Sequence, residues 1–151
     1  MQKPTARQVS TIAENIIYYI LIALFFITPL LVSIKSSELF EFPKMVFVYA
    51  LTTIVVAAWA TNIISKRYWY WRKTILDIPL ALILITQFIS TINSIHPYTS
   101  WLGYYSRSHG GVLSTICYAL LTWAFIQHYK PGWTKTIIYT SFPSTSISSL
   151  Y

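Results

Sequence analysis

Ile16 to Ile34 reads I-I-Y-Y-I-L-I-A-L-F-F-I-T-P-L-L-V-S-I, nineteen residues without a single charge. A helix needs about 20 apolar residues to cross about 30 Å of hydrocarbon, and this run has that length. A cleaved signal peptide has a shorter apolar core, about 7–15 residues, ending at a small-x-small site. Ser33-Ile34-Lys35 is a poor site of that kind, so the stretch is read as a retained spanning helix, kinked near its far end by Pro29.

The rest of the composition agrees with this reading. Hydrophobic residues make up 55% of the 151-residue chain and charged residues 10%, whereas a soluble domain carries about 25% charge. Too few polar groups are present to cover an aqueous surface. The net charge of +7 does not imply nucleic acid: the basic residues lie between apolar runs and form no stripe. Cys117 is the single cysteine, so no internal disulfide is available.

Outward from the first run, Met1–Asn15 is a polar tether. Lys35–Lys44 is a short connection in which Leu39, Phe40 and Phe42 intersperse with Glu38 and Glu41, suited to a membrane surface. Met45–Ile64 is a second uncharged run, with Ala57, Ala58, Ala60 and Thr61 small enough for a close helix neighbour. Lys66-Arg67 and Arg72-Lys73 then bracket the aromatics Tyr68–Trp71, the composition of a cytoplasmic interface. Aromatics among cations also stack RNA bases, but two flanking spans favour the interface.

Asp77 is expected to cap a third helix with Pro79 in its first turn, and Gln87, Thr91 and Asn93 to face protein. After the loop Ser94–Gly111, the run Val112–Ile126 approaches spanning length if Gly110, Gly111 and Gln127 are added, and Pro131-Gly132 stops it. Thr136–Tyr151 reads as a Ser/Thr-rich tail or as the first part of a fifth span.

The predicted fold is therefore all-α: one polytopic integral membrane domain over residues 1–151. It has four transmembrane helices at about 16–34, 45–64, 78–95 and 110–127, with a partial span at 137–151. Eight of the eleven basic residues fall on one side of this arrangement. The positive-inside rule then puts the N-terminus in the cytoplasm and loops 35–44 and 94–110 outside a multi-pass inner (plasma) membrane protein.

Motifs for nucleotide, acyl-transfer or metal chemistry are missing: there is no Walker loop, G-x-G-x-x-G, G-x-S-x-G, H-E-x-x-H or C-x-x-C. His96 and His109 have no obvious third ligand, so no metal and no cofactor are expected. One arrangement favours a ligand. The second and fourth spans both turn their N-termini outward, and a helix N-terminus attracts phosphate. Lys44 stands at one such end, and Arg107, His109 and the pair Gly110-Gly111 at the other. Arginine's fork suits phosphate oxygens and glycine admits close approach, so a lipid phosphate or pyrophosphate is the candidate substrate group. The plainer reading is that Arg107 meets ordinary headgroups and the glycines make a turn.

The stretches E-L-F-E-F-P-K (38–44), D-I-P-L (77–80) and S-W-L-G-Y-Y-S-R-S-H-G-G (100–111) resemble the N-terminal region of bacterial O-antigen ligase/polymerase membrane proteins. The resemblance covers most of residues 16–130. It implies a larger all-helical protein that moves glycan from an undecaprenyl-pyrophosphate carrier to an acceptor on the outer face, without metal or nucleotide. Membrane lipid and lipid-linked oligosaccharide are then the partners, and nucleic acid is not. The family's catalytic arginines and histidine lie in a C-terminal outer loop that no residue here matches. The resemblance therefore assigns no catalytic residue, gives Arg107 a binding or structural role, and implies a fragment inactive alone. The rival class is a non-enzymatic small membrane protein or transporter fragment.

Overall fold

The structure is a computed structural model that describes residues 6–31, 41–67, 71–104 and 108–150. Six helices follow in order: α1 Ala6–Leu30, α2 Glu41–Lys66, α3 Asp77–Ile92, α4 Pro97–Leu102, α5 Val112–His128 and α6 Trp133–Ser148. Among the described residues there is no strand.

α1 and α2 form the central antiparallel pair. Ser10, Ala13, Ile17 and Leu21 recur every three or four positions and are buried against α2, as one stripe of a 3.6-residue helix requires. α2 answers with Met45, Val48, Thr52, Val55, Ala58 and Asn62. Ser10 Oγ donates to Asn62 Oδ1 at 2.9 Å, which sets the start of α1 level with the end of α2. α6 lies along α1, with Trp133 on Tyr18 at one end and Ser144 Oγ donating to the Phe26 carbonyl further along. α5 bridges α2 and α3, and Leu121 and Ala124 from α5 join Ile17, Leu21, Val48 and Val55 in the core.

By length and composition, α1 and α2 are long and apolar enough to cross a membrane. α3 and α5 are apolar but shorter, at 16 and 17 residues. At 1.5 Å per residue they reach about 24–26 Å against about 30 Å of hydrocarbon. Of the most apolar 18-residue stretches of α1 and α2, only 17% and 28% is buried inside the chain. Their remaining apolar surface faces outward, as does that of α3, where Ile78 and Ile92 are 70% and 82% exposed.

Several boundaries depart from the sequence expectations for identifiable reasons. The polar tether is helical from Ala6, because the stripe through Ser10 and Ala13 continues the buried face of α1. The far end of the 16–34 run, like most of the 35–44 connection, lies outside the described residues. α3 stops at Ile92 instead of 95. Asn93 folds its amide back onto the Ile89 carbonyl at 2.8 Å, and His96, as the residue before Pro97, leaves the helical region at φ −122° and ψ 80°. The expected loop after it contains α4, with Pro97 in its first turn.

Asp77 does not cap α3: no side chain caps that end. Its carboxylate turns back to accept the Thr74 N–H at 2.9 Å and the Trp123 indole N–H at 3.1 Å. Those bonds, the Thr74 backbone first, hold its carboxyl below the usual range. Residues 133–148 are helical, not a loose tail. The hydroxyls of Thr140, Thr145 and Ser146 bond carbonyls one turn back, so the polar side chains need no outside partner.

Candidate functional site

The loop between α4 and α5 is closed by glycine. A Cβ on Gly103 would stand 2.2 Å from the His109 carbonyl oxygen, and one on Gly111 would stand 2.4 Å from the Gly103 nitrogen. The two ends of the loop are pressed together more closely than any side chain permits. Tyr104 N–H donates to the His109 carbonyl at 3.2 Å, and Ser108 N–H to the Tyr104 carbonyl at 2.8 Å. From α2, Tyr49 Oη donates to the Ser108 carbonyl at 2.6 Å. Buried Ser114 finishes the start of α5: its hydroxyl accepts the Gly110 N–H at 3.1 Å and donates to the Gly111 carbonyl at 2.8 Å.

Four of the five predicted ligand-binding residues can be placed. Lys44 is half-buried in the first turn of α2. His109 is exposed, with its ring centre 6.1 Å from that of Tyr118. Tyr118 Oη in turn donates to Met45 Sδ at 3.2 Å, so the second turn of α5 packs against the N-terminal part of α2. Gly110 has open space around it at φ +85°. Gly111 has none, so the close approach it permits is to Trp101 and Gly103 of its own chain. Arg107 lies outside the described residues.

A second polar centre, absent from the sequence expectations, occupies the opposite end of the helices. Glu14 receives Lys66 Nζ on one oxygen and Lys130 Nζ on the other, each at 2.8 Å. Burial pushes its carboxyl up, but the two ammonium groups outweigh that and bring it to about 2. Beside it runs a chain from Ser10 through Asn62 to His128, whose Nε2 lies 3.0 Å from Asn62 Nδ2. His128 Nδ1 is 3.0 Å from the Ala124 carbonyl. A carbonyl only accepts, so Nδ1 carries the proton and Nε2 accepts from Asn62. Burial keeps this ring neutral by lowering its pKa.

Arg72 and Gln127 close the rim by a reciprocal pair, Arg72 N–H to Gln127 Oε1 at 2.7 Å and Gln127 Nε2 to the Arg72 carbonyl at 3.2 Å. The indoles of Trp59, Trp71 and Trp123 pack in sequence behind them. Glu14, Trp59, Asn62, Lys66, Arg72 and His128 are among the residues that line an open cavity of about 210 Å³ here. The sequence signal that could have found it is Glu14, an acid two positions ahead of an apolar run and one of only two acids, with Asp77, among the eight basic residues of its side. Among the described residues no three His, Cys, Asp or Glu side chains gather as metal ligands.

Compared with known proteins, the chain gives no significant match to a family model, a curated sequence or a solved structure.

Proposed function

We propose that this chain is a membrane portion of an O-antigen ligase/polymerase-like protein, which holds the pyrophosphate of a lipid-linked glycan at the outer face of the inner membrane. In this reading α1, α2, α3 and α5 all span, the N-terminus is cytoplasmic, and loop 94–110 is outside. The outward apolar faces of α1, α2 and α3 support a lipid surround. The bilayer accommodates the shorter α3 and α5 by local thinning.

The observation that carries the site is the packing of the N-terminal halves of α2 and α5. Tyr118, in the second turn of α5, reaches Met45 in α2, and Tyr49 Oη reaches the Ser108 carbonyl, so both N-termini, each with its partial positive charge, point to the same end of the chain. Lys44 lies in the first turn of α2 and His109 three positions before α5, and Arg107 precedes His109 by two positions in the sequence. The resemblance of residues 38–44, 77–80 and 100–111 to the ligase/polymerase family supplies the substrate class.

The test is binding of farnesyl pyrophosphate, a soluble short-chain polyprenyl pyrophosphate, to the detergent-purified chain. Saturable binding that falls about tenfold in Arg107→Ala is the expected result, as for loss of one charge-assisted contact. Farnesol should bind weakly. The combined variant Lys66→Ala/Lys130→Ala, at the other end of the helices, should keep the Arg107-dependent part of that binding. Equal binding of farnesol and farnesyl pyrophosphate, or no effect of Arg107→Ala, would overturn the reading.

A further inference from the structure

We infer that the cavity between α1, α2 and α5 at the Glu14 end binds the phosphate headgroup of an anionic phospholipid. This site is independent of the glycan-transfer reading and lies at the opposite end of the helices from the loop. It requires only that the long helices sit in a bilayer.

The charge balance favours an anion. Lys66, Lys130 and Arg72 line the cavity with Glu14 as the one carboxylate, and His128 is neutral. Three cations against one anion leave two positive charges to be met from outside. Glu14 does not use up the lysines. Each ammonium carries three N–H donors and spends one on the carboxylate, leaving two for another oxygen. The carboxylate instead fixes both lysines, one at the end of α2 and one just after α5, around one opening. Both remain reachable: the side chains of Lys66 and Lys130 are 35% and 57% exposed.

Size and depth fit a lipid head. A space of about 210 Å³ with a mixed polar and apolar lining corresponds to about seven waters at roughly 30 Å³ each, room for a phosphate diester and part of its alcohol. The cavity is bounded by the last turns of α2 and α5, with Trp59 and Tyr129 on its wall, the composition found at headgroup level. Basic pockets between membrane helices on the cytoplasmic side take acidic lipid heads for this reason.

A second, apolar cavity separates a lipid from free phosphate as the occupant. It has about 240 Å³ and is lined by Leu21, Leu24, Phe25, Leu121, Phe125 and Ile137, between α1, α5 and α6. Leu21 follows Glu14 by two helical turns, about 10 Å deeper along α1. That is the depth at which an acyl chain runs when its phosphate is held at the mouth.

Native mass spectrometry of the detergent-purified full chain tests this with three probes: dioctanoyl phosphatidylglycerol, dioctanoyl phosphatidylcholine and inorganic phosphate. Phosphatidylglycerol should bind saturably and at least about tenfold more tightly than the other two. Lys66→Ala/Lys130→Ala should weaken it about thirtyfold and Arg72→Ala about fivefold. Lys73→Ala, outside the cavity, should change nothing. If the double variant does not fold, Arg72→Ala and the charge-keeping Lys130→Arg, which should retain binding, decide the matter. Equal binding of both lipids, or cavity variants that bind like the parent, would overturn the site. Phosphate binding as tightly as phosphatidylglycerol would overturn its assignment to lipid.

Discussion

Glu14 of α1 ties the end of α2 and the connection after α5 together at one carboxylate, and its titration is a stability lever. It lies ahead of the uncharged run, where water reaches it, and its carboxyl is brought from 4.5 to about 2. A folded-state pKa below the unfolded value adds stability that is complete above pH 4.5 and disappears as pH falls toward 2. His128, one residue past the proposed 110–127 span, acts in the same direction but earlier. Its pKa is lowered from 6.5 by burial, so the unfolded chain takes up a proton first and stability begins to fall below pH 6.5. Acid unfolding in detergent should therefore proceed in two stages. Glu14→Gln should remove the lower one and cost about 1 kcal/mol at pH 7 after solvent screening. His128→Gln should remove the upper one. Thermal melts between pH 2 and 8 read both, and a Glu14→Gln penalty that persists undiminished at pH 2 would contradict the ion-pair assignment. None of this was legible in the sequence, where Glu14 reads as part of a tether. Its partners stand 52 and 116 positions away, and only the three-helix packing brings them together.

At the scale of the element, the loop joining α4 to α5 shows how far a motif can be read. The sequence placed a glycine turn at the start of a helix, and that turn is there. It did not reveal that Gly103 and Gly111 touch, since that contact depends on the loop closing upon itself. The three glycines should therefore differ. Alanine at Gly103 or Gly111 meets backbone atoms at 2.2–2.8 Å and should cost about 2 kcal/mol or more, because neither side can yield. Alanine at Gly110 finds open space but a φ of +85°, and should cost about 1 kcal/mol. Thermal unfolding of the three variants under one condition gives the order, and a Gly110→Ala variant as damaged as Gly111→Ala would contradict it. The other elements divide by the kind of signal they carry. α1 and α2 were legible because an uncharged run of spanning length has few alternatives. α3 ended early at Asn93 and the His96-Pro97 pair, a local backbone effect that hydropathy does not register. α6 was obscured by its own composition: serine and threonine suggest loop until their hydroxyls are seen bonding within the helix.

The whole molecule has a polar centre at each end and apolar surface between them. At one end the N-terminal parts of α2 and α5 pack beside the glycine-closed loop. At the other the Glu14 mouth gathers lysines from α2 and from the residues just after α5. An apolar girdle between polar ends is what a bilayer requires, and in the proposed placement the excess of basic residues puts the Glu14 end on the cytoplasmic side. Cys117 is the single cysteine and is buried, so a Cys117→Ala background gives clean single-cysteine probes. The direct test is labelling of intact cells with a membrane-impermeant maleimide, comparing His109→Cys with Lys73→Cys in that background. His109→Cys should label in intact cells and Lys73→Cys only after permeabilisation, with both recovered in the membrane fraction. Labelling of Lys73→Cys in intact cells, or recovery of the chain in the detergent-free supernatant, would contradict the proposed placement in the membrane.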